Sequence, residues 1–172
     1  IGGVYNMDYN IRTIQINDAE SLWEMMFELD SETKYMMYEP NERVKDIDKV
    51  KSIIGKAVTG DNFLLVAEAN HKIVGYISAQ KGTLNRIKHS AYIVVGILAA
   101  YQGRGIGSVF FKELDNWAYD KNITRLELTV MCPNEMAKHL YEKNGFVIEG
   151  IKKKSMIVDG RYIDEYYMAK TR

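Results

Sequence analysis

Between an apolar run from Tyr92 to Leu98 and a stretch that turns apolar at helical spacing from Ile106, the chain places glycines at 103, 105 and 107. The run reads as a buried strand, and Ile106, Val109, Phe110, Leu114 and Trp117 read as one face of a helix. The turn between them must therefore be tight. Glycines there admit positive φ and let the backbone approach a ligand, while the first N–H groups of the helix lack intrahelical acceptors and point outward. Such a terminus attracts phosphate; a tight turn with no ligand is the other reading of the same three residues.

Arg125 to Val130 alternates as the next strand. Strand, helix and strand of this length predict a right-handed parallel crossover, which sets the glycine turn at the carboxyl edge of the sheet, where ligands of open α/β sheets bind. Upstream, Tyr9 to Ile16 reads as a first strand, and Asn17 or Asp18 caps a helix carrying Leu22, Trp23, Met26 and Leu29 that ends near Asp30. Asp46 to Val58 reads as a second helix, and Phe63 to Ala69 and Ile73 to Ala79 as two antiparallel strands. The segment Ser31 to Arg43 is too aromatic for a simple linker and too broken for a long helix, and is either a lid or substrate wall or a core plug built on Met36 and Met37. Lys81 to Lys88 reads as a solvated basic loop. Gly96, inside the central strand, marks either a bulge or a bulky core neighbour. Pro133 and Asn134 open a last helix that Gly145 stops, and Phe146 to Lys154 and Tyr162 to Ala169 flank an Asp159-Gly160 hairpin turn.

The 172 residues suit one domain, and hydrophobic and charged fractions of 47% and 27% are those of a globular chain. We expect a single domain over 7–172, with 1–6 an N-terminal extension or cloning scar. A formal net charge of zero gives no electrostatic reason to expect a nucleic-acid partner. Without an apolar run near the roughly 20 residues of a membrane helix, no membrane partner is expected either. One cysteine, Cys132, excludes an internal disulfide and a cysteine metal cluster, which fits a cytoplasmic setting and no bound metal.

Three phosphate-loop patterns can be set against the turn. The dinucleotide fingerprint fails because its third glycine arrives one residue early, with Ser108 in its place, and Arg125 to Val130 ends without an acidic residue. The nucleoside-triphosphate loop needs Gly-Lys-Ser/Thr, which occurs nowhere. What remains is Gln102-x-x-Gly105-x-Gly107, five residues after the aliphatic Ile97. This resembles the acetyl-coenzyme A pyrophosphate loop of the GNAT N-acetyltransferases. Asn134, Ala137, Leu140, Tyr141 and Asn144 through Phe146 resemble the second signature of that family. The segment Gly145 to Met168 is similar to a bacterial branch near the ribosomal-protein and polyamine acetyltransferases.

The resemblance implies a mixed α/β fold, a central twisted mixed sheet of about seven strands with four helices in the order β-α-α-β-β-β-α-β-α-β-β. It implies acetyl-CoA held along Val95, Ile97, Leu98 and Ala99, by Gln102, Gly103, Arg104, Gly105, Ile106, Gly107 and Ser108, and by Asn134. Backbone N–H groups near Val95 or Ile97 would serve the oxyanion, and Tyr141 the departing thiolate. Taken singly, Asn134 is an N-cap and Tyr141 a core residue. The implied reaction is direct attack of a primary amine, on a small molecule or a protein, in a ternary complex of a monomer or homodimer. Cys132 is then structural. Where several relatives carry a glutamate, this chain has Ala91, so His89, if it is not merely an exposed loop residue, is the candidate base. Glu32, Glu39 and Glu42 are alternative bases or attract a cationic acceptor, and with Tyr35 they are the candidate acceptor residues. A non-catalytic acyl-CoA sensor is the alternative.

Overall fold

The computed structural model describes residues 8–172, so the expected extension at 1–6 lies outside the described residues. The strands are β1 (Asn10–Thr13), β2 (Phe63–Ala69), β3 (Lys72–Lys81), β4 (Ser90–Ile97), β5 (Arg125–Met131), β6 (Val147–Val158) and β7 (Arg161–Thr171). The helices are α1 (Ala19–Glu32), α2 (Ile47–Val58), α3 (Ile106–Asp120) and α4 (Glu135–Lys143). Their order along the chain is the expected one. The strands form one seven-stranded sheet ordered β1-β2-β3-β4-β5-β7-β6, in which β4 and β5 run parallel and all other neighbours antiparallel.

Side-chain alternation assigns the helices to faces. Phe63, in register with Ala79, packs on Trp117 of α3 with ring centroids 5.5 Å apart, while Gly96, paired with Tyr76, abuts Leu29 of α1. α1 and α2, packed on each other, therefore cover one face, and α3 the other. Phe110, Phe111, Leu114, Ile77 and Phe146 are fully buried between α3, α4 and the sheet. Phe111 meets the rings of Tyr141 and Phe146 edge-on at 5.8 and 5.6 Å. Among the described residues no helix is long and apolar enough to cross a membrane.

Several boundaries differ from expectation. The first strand is shorter, because Gln15 and Asp18 form a reciprocal cap that starts a helical turn at Ile16. The last two strands are longer, because β6 continues through irregularities at Ile148/Gly150 and Lys152/Met156. Asp159 and Gly160 both have positive φ, 49° and 73°, as a two-residue hairpin turn requires. Gly96 does not mark a bulge. The β3–β4 register runs unbroken across it, and a Cβ there would stand 2.5 Å from Leu29 Cδ2 and 3.0 Å from Tyr76 Cε1. The bulky-neighbour reading is the correct one: glycine lets α1 close onto the strand.

Candidate functional site

β4 and β5 pair only from Ser90/Arg125 to Tyr92/Glu127, and both strands then continue unpaired with each other for five and four residues, to Ile97 and Met131. A wedge opens toward the carboxyl edge. Antiparallel ladders alternate, and two bonds fix the phase here: Leu98 N–H donates to Val74 C=O at 2.9 Å and Gly82 N–H to Ser90 C=O at 3.0 Å. Even-numbered residues of β4 thus bond β3, and the N–H groups of Val95 and Ile97 point into the wedge past its last rung. Near the closed end, the Tyr92 and Thr129 hydroxyls meet across it at 2.9 Å.

A one-turn helix (Ala99–Tyr101) leads from β4 into the glycine turn. Gly103 and Gly105 have φ of 71° and 88°, and Gly105 caps α3. Gly107 has another role: a Cβ there would lie 2.9 Å from Leu140 Cδ2, so it sets the contact of α3 with α4. The first N–H of α3 to reach a turn carbonyl is that of Val109, on Gly105 C=O at 3.2 Å. Among the described residues, the N–H groups of Gly103, Arg104, Gly105, Ile106, Gly107 and Ser108 have no backbone acceptor. Six consecutive amides at a helix N-terminus can take an anion the size of a diphosphate. Three neighbours are already engaged. Leu98 N–H is in the ladder, Ala99 N–H donates to Glu32 Oε2 at 2.8 Å, and the Gln102 side chain donates to Ile97 C=O at 3.0 Å. These residues brace the turn instead of offering donors. Tyr9, just before β1, also braces it, its hydroxyl donating to Arg104 C=O.

The Asn134 side chain accepts Ala137 N–H at 3.2 Å, so it is the N-cap of α4, and its amide nitrogen remains available to a ligand. Tyr141 is buried, and burial first, then the nearby phenols of Tyr92 and Tyr76, push its own phenol above the ordinary value. It is protonated at neutral pH.

Over the open end of the wedge lies a cleft of about 610 Å³. Glu32 through Tyr35 form one wall, Met131 and Pro133 the end of β5, and Val158, Asp159, Arg161 and Ile163 the other wall. Lys34 and Asp159 form an ion pair across it, and Tyr35 Oη donates to Pro133 C=O at 3.4 Å. The loop behind the first wall is fastened by Arg43, whose Nε lies 2.6 Å from the carboxylate of Asp30, 1% exposed, and whose guanidinium stacks 4.3 Å from the Tyr38 ring centre. Beneath this pair, burial pushes the Tyr76 phenol up to about 12, with Arg43 opposing the shift and Asp30 adding to it.

Not all expected acceptor residues converge here. Glu32 and Tyr35 line the cleft, whereas Glu39 and Glu42 close a local turn, Glu39 N–H donating to Glu42 Oε2 at 2.8 Å. His89 is misplaced for a base. Its carbonyl takes the N–H groups of Thr124 and Arg125 at the closed end of the β4–β5 pair, six residues and so roughly 20 Å from Val95. Conversely, Lys34 was legible only as part of the Ser31 to Arg43 segment, Asp159 only as a turn residue, and nothing in the sequence singled out Arg161. Among the described residues, no three of His, Cys, Asp and Glu gather as metal ligands.

Residues 23–146 match the model of the acetyltransferase (GNAT) family. An Escherichia coli L-amino acid N-acetyltransferase is 34% identical over 112 residues, 63% of this chain and 67% of that protein. A Vibrio cholerae spermidine N(1)-acetyltransferase is 24% identical over 92% of this chain and 90% of its own length. A crystal structure of a GNAT-family acetyltransferase from Streptococcus pneumoniae superposes with a TM-score of 0.90 at 29% identity, covering 95% of this chain and 99% of the other. The Salmonella typhimurium yncA structure, determined with its cofactor acetyl-CoA, shares the fold at a TM-score of 0.83 and 19% identity, covering 95% and 94%. The chain belongs to the acetyltransferase (GNAT) family and is an acetyl-CoA-dependent N-acetyltransferase.

Proposed function

We propose that residues 7–172 act as one domain that passes the acetyl group of acetyl-CoA to a primary amine seated in the cleft, both substrates being bound together. The observation that carries this reading is continuity. Six unpartnered amides of the glycine turn lead directly to the inward-facing amides of Val95 and Ile97, and the wedge that contains these opens beneath the cleft.

Gly103 through Ser108 would hold the diphosphate, and Asn134 and the free edge of β4 the pantetheine arm. Bound there, the coenzyme supplies a thioester carbon open to amine attack. The amides of Val95 and Ile97 donate to the oxygen on which negative charge develops. Tyr141 donates a hydrogen bond to the departing sulfur; because its pKa lies above that of an ordinary thiol, complete proton transfer from it would be uphill. Glu32, bonded through one oxygen to Ala99 N–H, keeps the other for the ammonium and carries its proton to solvent. Two named relatives, an amino-acid and a spermidine N-acetyltransferase, support a small amine as acceptor. Thiol release with a panel of amines tests the assignment: turnover with a small primary amine is expected, and coenzyme binding without acetylation of any amine would replace the enzyme by a sensor.

A further inference from the structure

The charges lining the cleft are balanced and only partly paired. Two cations, Lys34 and Arg161, face two anions, Glu32 and Asp159. Lys34 and Asp159 neutralise each other. Among the described residues no carboxylate lies within 4.0 Å of the Arg161 guanidinium, and no Lys or Arg within 4.0 Å of the Glu32 carboxylate. One guanidinium without an ion pair, and one carboxylate bonded through a single oxygen to Ala99 N–H, thus border an apolar floor that includes Met131 and Ile163. A polycation would meet Arg161 with no surplus of negative charge to offset it. A molecule carrying an ammonium and a carboxylate would pair with both groups.

We propose that the acceptor is an amine that also bears a carboxylate, an apolar α-amino acid in its simplest form, with Arg161 as the specificity-determining residue. This rests on the acetyltransferase reading and narrows its acceptor. Arg161 takes the carboxylate through its planar fork, which sends the ammonium toward Glu32 at the mouth of the wedge and the side chain onto the apolar floor. The ammonium loses one proton to water by way of Glu32. The neutral amine then forms the C–N bond as the acyl C–S bond breaks, and its second proton ends on the coenzyme thiol. The products are an N-acetylamino acid and free coenzyme A.

The test measures kcat/KM for L-leucine, L-leucinamide, 3-methylbutylamine and spermidine with the wild type, Arg161→Ala and Arg161→Lys, and measures acetyl-CoA affinity for each by calorimetry. L-leucine is expected to exceed its amide and its decarboxylated analogue by at least about 10-fold in the wild type. In Arg161→Ala that ratio falls toward one through a rise in the KM for leucine, in Arg161→Lys it is partly kept, and acetyl-CoA affinity is unchanged. Equal or better use of the amide, the simple amine or spermidine overturns the acceptor assignment and leaves the acetyltransferase reading standing. A ratio insensitive to Arg161 overturns its role. Coenzyme binding with no turnover of any of the four overturns the acceptor assignment, and only failure across the wider amine panel overturns the acetyltransferase reading with it.

Discussion

The two halves of the site are built from different material. The coenzyme half is one continuous stretch of main chain, from the inward amides of Val95 and Ile97 through the turn to Ser108, held in shape by Gln102, Tyr9 and the left-handed Gly103 and Gly105. The acceptor half is made of side chains from three segments, and its walls are joined by Lys34 and Asp159, 125 residues apart. Main-chain donors are insensitive to side-chain truncation and vulnerable to added atoms. A side-chain wall behaves in the opposite way.

The largest effect on this contrast is expected at the acceptor wall. Asp30→Ala leaves Arg43 charged and without its carboxylate in a half-buried position, and should cost about 3–5 kcal/mol in denaturant unfolding. Where the protein stays folded, the KM for the amine should rise more than that for acetyl-CoA. Equal rises would mean that the wall does not act separately from the coenzyme half. Next is Tyr141, the one side chain assigned a chemical role in the coenzyme half. Tyr141→Phe should lower kcat about 100-fold or more and leave acetyl-CoA affinity within about twofold.

A comparable change separates the two buried phenols from the solvent. Both have raised pKa values, so the folded state prefers the neutral phenol, and its contribution is complete below pH 10 and lost as pH rises through the folded value. For Tyr76 the window is about pH 10 to 12 and the loss at most about 2–3 kcal/mol. Tyr76→Phe should flatten the fall in unfolding free energy over that window; an unchanged slope would place its source elsewhere. The smallest effect is set by backbone strain. A Cβ at Gly105 would meet no heavy atom closer than 3.7 Å, but Gly105→Val must hold φ at 88°, and should weaken acetyl-CoA by about 10-fold or more with the KM for the amine nearly unchanged.

The same contrast explains what could be read from the sequence. Element order and the glycine turn were legible because hydrophobic period and glycine spacing are local signals, and a main-chain site is written in them. Asn134 and Tyr141 were legible because seven residues on a helix return to nearly the same face. The acceptor cleft was legible on one wall alone, at Glu32 and Tyr35. Asp159 read as a hairpin residue, nothing singled out Arg161, and only the fold brings that hairpin opposite Lys34. Gly96 carried two physical readings, and the position of Leu29 decides between them. His89 looked suitable because it stands two residues before Ala91, but that spacing says nothing about which end of a parallel pair is open, and His89 stands at the closed one.

A crystal structure of the complex with acetyl-CoA measures the main claim most directly. The diphosphate oxygens should lie within about 3.2 Å of several N–H groups from Gly103 to Ser108, with the thioester between β4 and β5 beside Val95. A coenzyme bound elsewhere, with those amides left to solvent, would contradict it.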